Sequence, residues 1–110
     1  MIDTAAEFAR IKSLHPGAVL HQEGGKPLVL LPQFTFVADG KNETMDLLLH
    51  PSPHSGYVTR LFFERQIAAR GKNWGQHRLL ERMWWTLSYE KVQPDQPWTS
   101  MLINHLASVT

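Results

Sequence analysis

Six histidines, His15, His21, His50, His54, His77 and His105, are the side chains of this 110-residue chain best suited to chemistry near neutral pH. No pair of them has the i, i+4 spacing on one helix that makes a helical zinc motif. His50 and His54 are four apart, but Pro51 and Pro53 lie between them and rule out a shared helix face. Cysteine is absent, which removes disulfides, thiolate metal sites and sulfur nucleophiles. A zinc site would need histidine with Asp or Glu from scattered positions, so no metal and no other cofactor is expected. Ser52, Ser55, Ser88 and Ser100 do not sit in a Gly-x-Ser-x-Gly elbow. Gly24-Gly25 does not open a helix, so a phosphate cradle is not supported. A histidine-based enzyme would use His77 and His54 for acid/base work. An acidic residue such as Asp46 or Glu81 would have to join them in one cleft.

The elements that would position these groups read as follows. Thr4-Ala5-Ala6-Glu7 fits a capping box, and Phe8, Ile11 and Leu14 follow at helical spacing. Pro16-Gly17 ends that helix, predicted over 4–14. Short β-prone segments come next, at 18–22, 28–31 and 34–37, with Pro32 marking an edge or a bulge. Asp39-Gly40 is a hairpin turn, and Met45, Leu47 and Leu49 fall on one face of a strand over 44–49. The links are short, so the strands form an antiparallel meander. Residues 51–56 are a loop and 57–63 a further strand. Most of 64–77 reads as irregular, broken at Gly71-Lys72-Asn73. Residues 78–88 fit a helix or a strand equally well. Gln93-Pro94-Asp95-Gln96-Pro97 turns into a closing helix, capped by Asp95 or Gln96, with Trp98, Leu102, His105, Leu106 and Val109 on one face.

Composition bounds the setting. Hydrophobic residues make up 43% and charged residues 19%, a globular balance in one domain, 1–110. A net charge of +1 argues against a nucleic-acid binder and against a polybasic membrane-surface protein. No apolar run approaches the roughly 20 residues that span a bilayer, and the first residues lack a basic stretch followed by an apolar one. A cytoplasmic location is expected. The four tryptophans, Trp74, Trp84, Trp85 and Trp98, are anchors of a core or an interface.

The order of these pieces resembles the ubiquitin-conjugating enzyme fold. The strand Met45–Leu49, the loop His50-Pro51-Ser52-Pro53-His54-Ser55-Gly56-Tyr57 and the strand Val58–Phe63 resemble that family's strand, proline-tyrosine loop and strand. Leu31-Pro32, Trp74-x-x-His77 and the late Trp98, Leu102 and Leu106 resemble a bacterial group of ubiquitin-conjugating-like proteins. The resemblance implies an α+β fold: an N-terminal helix, a four-stranded antiparallel meander, a long irregular segment and a C-terminal helix. It also implies partners, namely a ubiquitin-like protein or its activating enzyme, met at Phe8, Lys12, Pro53, Tyr57, Trp74 and His77. The family carries its modifier as a thioester, and a chain without cysteine cannot. The expectation is therefore a non-catalytic binding member. A histidine-dependent enzyme built on His77 and His54, and a homo-oligomeric interaction domain, are the alternatives.

Overall fold

The computed structural model of the chain describes residues 3–53, 57–67, 74–87 and 92–109. Helix α1, Thr4–Leu14, opens on Asp3, whose carboxylate accepts from the Ala6 amide at 3.2 Å. Asp3 is thus the cap rather than Thr4. Glu7 does not complete a capping box either. Its carboxylate reaches across to helix α2, Trp98–Ala107, and accepts from the Trp98 amide at 3.0 Å. Helix α2 starts after Pro97 and has no side-chain cap of its own. Glu7 therefore brings both an acceptor and a negative charge to its unsatisfied first turn. Gln96, expected to cap this helix, bonds Asn104 and the Gln93 carbonyl instead.

Between the helices the described residues form six strands: β1 Val19–Glu23, β2 Lys26–Ala38, β3 Lys41–His50, β4 Arg60–Phe63, β5 Trp74–Leu79 and β6 Arg82–Leu87. They form one sheet in the order β1-β2-β3-β4-β6-β5, with every described pair antiparallel. This corrects the four-stranded meander, and the ubiquitin-conjugating arrangement is not what the chain adopts. Of the segment 64–77 expected to be irregular, the chain forms no helix or strand over 64–67, lies outside the described residues over 68–73, and enters a strand at 74. It returns as the β5–β6 hairpin, and β6 pairs with β4, Phe62 opposite Thr86 and Phe63 opposite Trp85. Residues 74–77 thus belong to a strand, and 78–88 is resolved in favour of strand as far as Leu87.

The hairpin escaped detection because its turn carries no glycine or asparagine. Leu80 and Glu81 both take positive φ, 51° and 61°, and Leu79 pairs with Arg82 across them. Two positive φ angles suit a two-residue hairpin turn, but side chains with a Cβ adopt them at a cost. Glu81→Gly is therefore expected to raise stability by about 1 kcal/mol, read as a higher midpoint in thermal or urea unfolding.

Strand β2 joins the two segments expected at 28–31 and 34–37 into one bent strand. The register shifts between Leu31 and Phe34, where Gln33 takes φ 50°. Asp46 on β3 clips this bulge, accepting from the Gln33 amide at 2.9 Å and from its side chain at 3.1 Å. Burial raises the Asp46 pKa, but these bonds and Arg82 outweigh it and leave the carboxyl below its ordinary value.

Alternation along the strands divides two cores. Leu47, Leu49, Leu61 and Phe63 face the helices and pack with Ile11, Trp98, Met101 and Leu102. Leu48 and Phe62 point the other way and meet Leu28, Leu79 and Trp84. Among the described residues no helix contributes to this second cluster, and the sheet encloses it by curling. The curl is visible at its edges: β1 and β5 are the two outer strands, yet the Leu80 amide donates to Glu23 at 3.0 Å. Buried on both faces, β4 reads as an unbroken Arg60-Leu61-Phe62-Phe63 run without alternation.

Candidate functional site: a buried arginine on the inner face of the sheet

Arg60 opens β4 on the same face as Phe62, opposite His50 on β3. Its side chain turns into the enclosed face and only 5% of the residue is exposed. Nη1 donates to His77 Nε2 at 3.1 Å, and the guanidinium carbon lies 4.1 Å from the centre of the Tyr57 ring. Nε is buried without a hydrogen-bond partner. Among the described residues the ion pairs join Arg10 to Glu7, Arg65 to Glu43 and Arg82 to Asp46, and Arg60 meets no carboxylate. Burial lowers its pKa, while Tyr57 acts in the opposite sense. An arginine stays protonated under such pressure, so the site holds a desolvated positive charge that no carboxylate among the described residues neutralises.

Three histidines answer to that charge. A guanidinium only donates, so His77 Nε2 accepts and the ring proton sits on Nδ1. Burial and then the charge of Arg60 push the His77 pKa down, which keeps the ring neutral and able to accept. His50 lies 2.7 Å from the Ser52 carbonyl through Nδ1, which therefore carries its proton. Burial lowers its pKa too, helped by Lys26 and Arg60 and opposed by the Ser52 bond. The Phe62 ring stands edge-on between the two, with centroids 6.5 Å from His50 and 5.9 Å from His77. On the other side of β4, Thr59 donates to the Val92 carbonyl at 2.7 Å and so accepts from His105 Nε2 at 2.9 Å. Thus one strand end aims a cation at the inner face and ties helix α2 to the outer one.

Beside this cluster, between the tips of the two hairpins, lies an open cleft of about 470 Å³. Glu23, Lys26, His50, Pro53, Arg78 and Leu79 line it. His50 belongs to both places, as a wall of the cleft and as the cross-strand neighbour of Arg60.

Of the residues expected to act, the structure brings His77 and Tyr57 together, both against Arg60. Pro53 borders the cleft and its carbonyl accepts from Lys26 Nζ at 3.0 Å. His54 lies outside the described residues. Trp74 starts β5 but faces the helices, edge-on to Phe63 at 5.5 Å. Phe8 packs on the helix-side core, and Lys12 lies over its ring at 5.8 Å while donating to the Ala18 carbonyl. The cleft imagined for His77 with Asp46 and Glu81 is not assembled. Asp46 is occupied by Gln33 and Arg82, and Glu81 sits exposed at the hairpin tip. Among the described residues no three of His, Asp and Glu are placed to hold a metal ion, and no helix is long and apolar enough to cross a membrane.

Arg60 itself carries the site and was not singled out from the sequence. Its signal was present: a charged residue inside the apolar run Arg60-Leu61-Phe62-Phe63, at the same parity as Phe62. No protein family, curated protein or solved structure matches the chain.

Proposed function

We propose that the chain is a binding module for an oxyanion group, a carboxylate or a phosphate, held by Arg60 with His77 and Tyr57 around it. The observation that carries this reading is the buried guanidinium, with an orphaned Nε and no carboxylate partner among the described residues. An unpaired buried charge is among the costliest features a small fold can keep. Stacking on Tyr57 recovers about 2 kcal/mol. The bond to a neutral imidazole brings no opposite charge. An incoming oxyanion supplies that charge, and the planar fork of arginine suits a carboxylate or phosphate edge. The neutral rings of His50 and His77 line the site without adding positive charge. A role beside a ubiquitin-like modifier or its activating enzyme drew on the four-stranded arrangement, and with six strands that support is gone.

The experiment is Arg60→Met, of similar length and no charge. The free variant is expected to match or exceed the parent in stability, because a desolvated charge has been removed. It is also expected to lose the response of its His77 and Tyr57 resonances to acetate and inorganic phosphate, followed by NMR titration. A variant that unfolds several kcal/mol more easily, paired with a parent indifferent to both anions, would make Arg60 a structural residue and end the reading.

A further inference from the structure

We infer that the ligand carries two oxyanion groups, one held at Arg60 and the other in the adjoining cleft between Lys26 and Arg78. This rests on the reading of Arg60 given above. The cleft and the arginine are neighbours through His50, which walls the one and faces the other across β3 and β4. Both Lys26 and Arg60 act on His50 through their charges, so the three lie within one electrostatic neighbourhood.

The charges of the cleft taken together with the adjoining Arg60 do not cancel. Lys26, Arg78 and Arg60 bring three positive charges, and Glu23 brings one negative charge. The balance of +2 stands out in a chain whose net formal charge is +1. One Glu23 oxygen accepts from the Leu80 amide and holds the two hairpin tips together. That carboxylate is the repulsive element in the cleft, and it pushes a second oxyanion toward Lys26 and Arg78. Among the described residues the Lys26 ammonium uses one of its three donors, on the Pro53 carbonyl. Arg78 lies on the edge strand β5, exposed, and forms no ion pair among the described residues. A cleft of about 470 Å³ falls in the range that takes a small organic molecule. A compound with an acid group at each end therefore satisfies the buried cation with one end and the cleft with the other.

The test compares single-headed with two-headed probes on the full chain. Acetate and inorganic phosphate are the single-headed ones. Succinate, glutarate, adipate and 3-phosphonopropionate are the two-headed ones, and the last separates a phosphonate from a carboxylate head. The best two-headed probe is expected to bind about five to ten times more tightly than acetate, the gain of one partly screened ion pair. The Lys26→Gln, Arg78→Gln double variant should bring it down to the single-headed level. Both side chains are exposed, and circular dichroism confirms that the variant folds. If no two-headed probe gains over its single-headed counterpart, or if the double variant leaves the gain intact, the inference fails while Arg60-dependent binding of acetate or phosphate still stands. If neither acetate nor phosphate binds the parent, the site at Arg60 fails and the inference with it.

Discussion

Trp84→Ala is expected to lower the unfolding free energy by about 3–5 kcal/mol. The indole is fully buried among Leu28, Leu48, Phe62 and Leu79, a cluster to which no helix contributes among the described residues. That cluster is small, so its loss leaves a void that few neighbours can close. The Arg82 guanidinium stacks at 4.1 Å from the Trp84 ring and also loses its support. Domains of this kind have about 5–15 kcal/mol in all, so the variant stands close to unfolding at room temperature. A substitution to Phe separates packing from hydrogen bonding. Trp84 Nε1 donates to the Leu79 carbonyl at 3.0 Å, so Trp84→Phe leaves a buried acceptor unmet and costs roughly 1–3 kcal/mol. Trp98 is equally buried, but its Nε1 has no hydrogen-bond partner. Trp98→Phe therefore gives up packing alone and should cost less than Trp84→Phe. Urea midpoints at constant slope measure all three. Equal losses for the two Phe variants would remove the Leu79 bond as a source of stability.

The inner cluster also explains what could be read ahead of the structure. Helix signals are local, and helix α1 ends where Pro16-Gly17 requires. The capping of both helices was not local: Glu7 looks like half of a capping box, but its carboxylate serves Trp98, far along the chain. Strand β3 was legible because Met45, Leu47 and Leu49 alternate toward the helices. The same alternation leaves Leu48 to the other side, and β4 is buried on both sides. That pattern points to a sheet with two cores, whereas a meander with one open face needs polar residues at the alternate positions. Strands β5 and β6 were hidden for a different reason. Their turn is made by Leu80 and Glu81 in a backbone conformation that usually announces itself with Asn-Gly. Without a turn signal, Met83-Trp84-Trp85-Thr86 has no partner strand that the sequence alone reveals.

The site was legible in part. His77 and Tyr57 were named for a resemblance and do converge, but on Arg60, a residue that no motif marks. The convergence depends on β4 starting at Arg60 in register with His50, and on β6 bringing β5 close enough for His77 to reach across. Neither pairing has a local signature. A charged residue interrupting a buried strand was the one available clue, and it needed the knowledge that both faces of β4 are covered.

His105 sets the second large effect, a loss of about 3 kcal/mol of stability on acidification from its ordinary range to the folded value. Burial, and then the charge of Arg60, lower its pKa from 6.5 to about 4. In the unfolded chain the ring takes up a proton near 6.5, while in the folded chain it resists until about 4. Between these limits the unfolded state binds more protons, so acid favours unfolding. The contribution is whole above 6.5 and is lost as the pH falls through about 4. The ring is held in place throughout by Thr59, which gives its proton to the Val92 carbonyl and accepts from His105 Nε2. His50 and His77 are shifted in the same direction and add to the slope. His105→Gln keeps a donor and removes the titration, so its stability between pH 6.5 and 4 should fall less steeply by up to one proton's worth. Urea unfolding at pH 7, 6, 5 and 4 gives the two slopes, and parallel curves for parent and variant would mean that His105 does not titrate with folding. Arg60→Met tests the same coupling from the other side of β4. Without that cation the His105 pKa should rise, and with it the pH resistance of helix α2's anchorage to the sheet, even as the oxyanion site is lost.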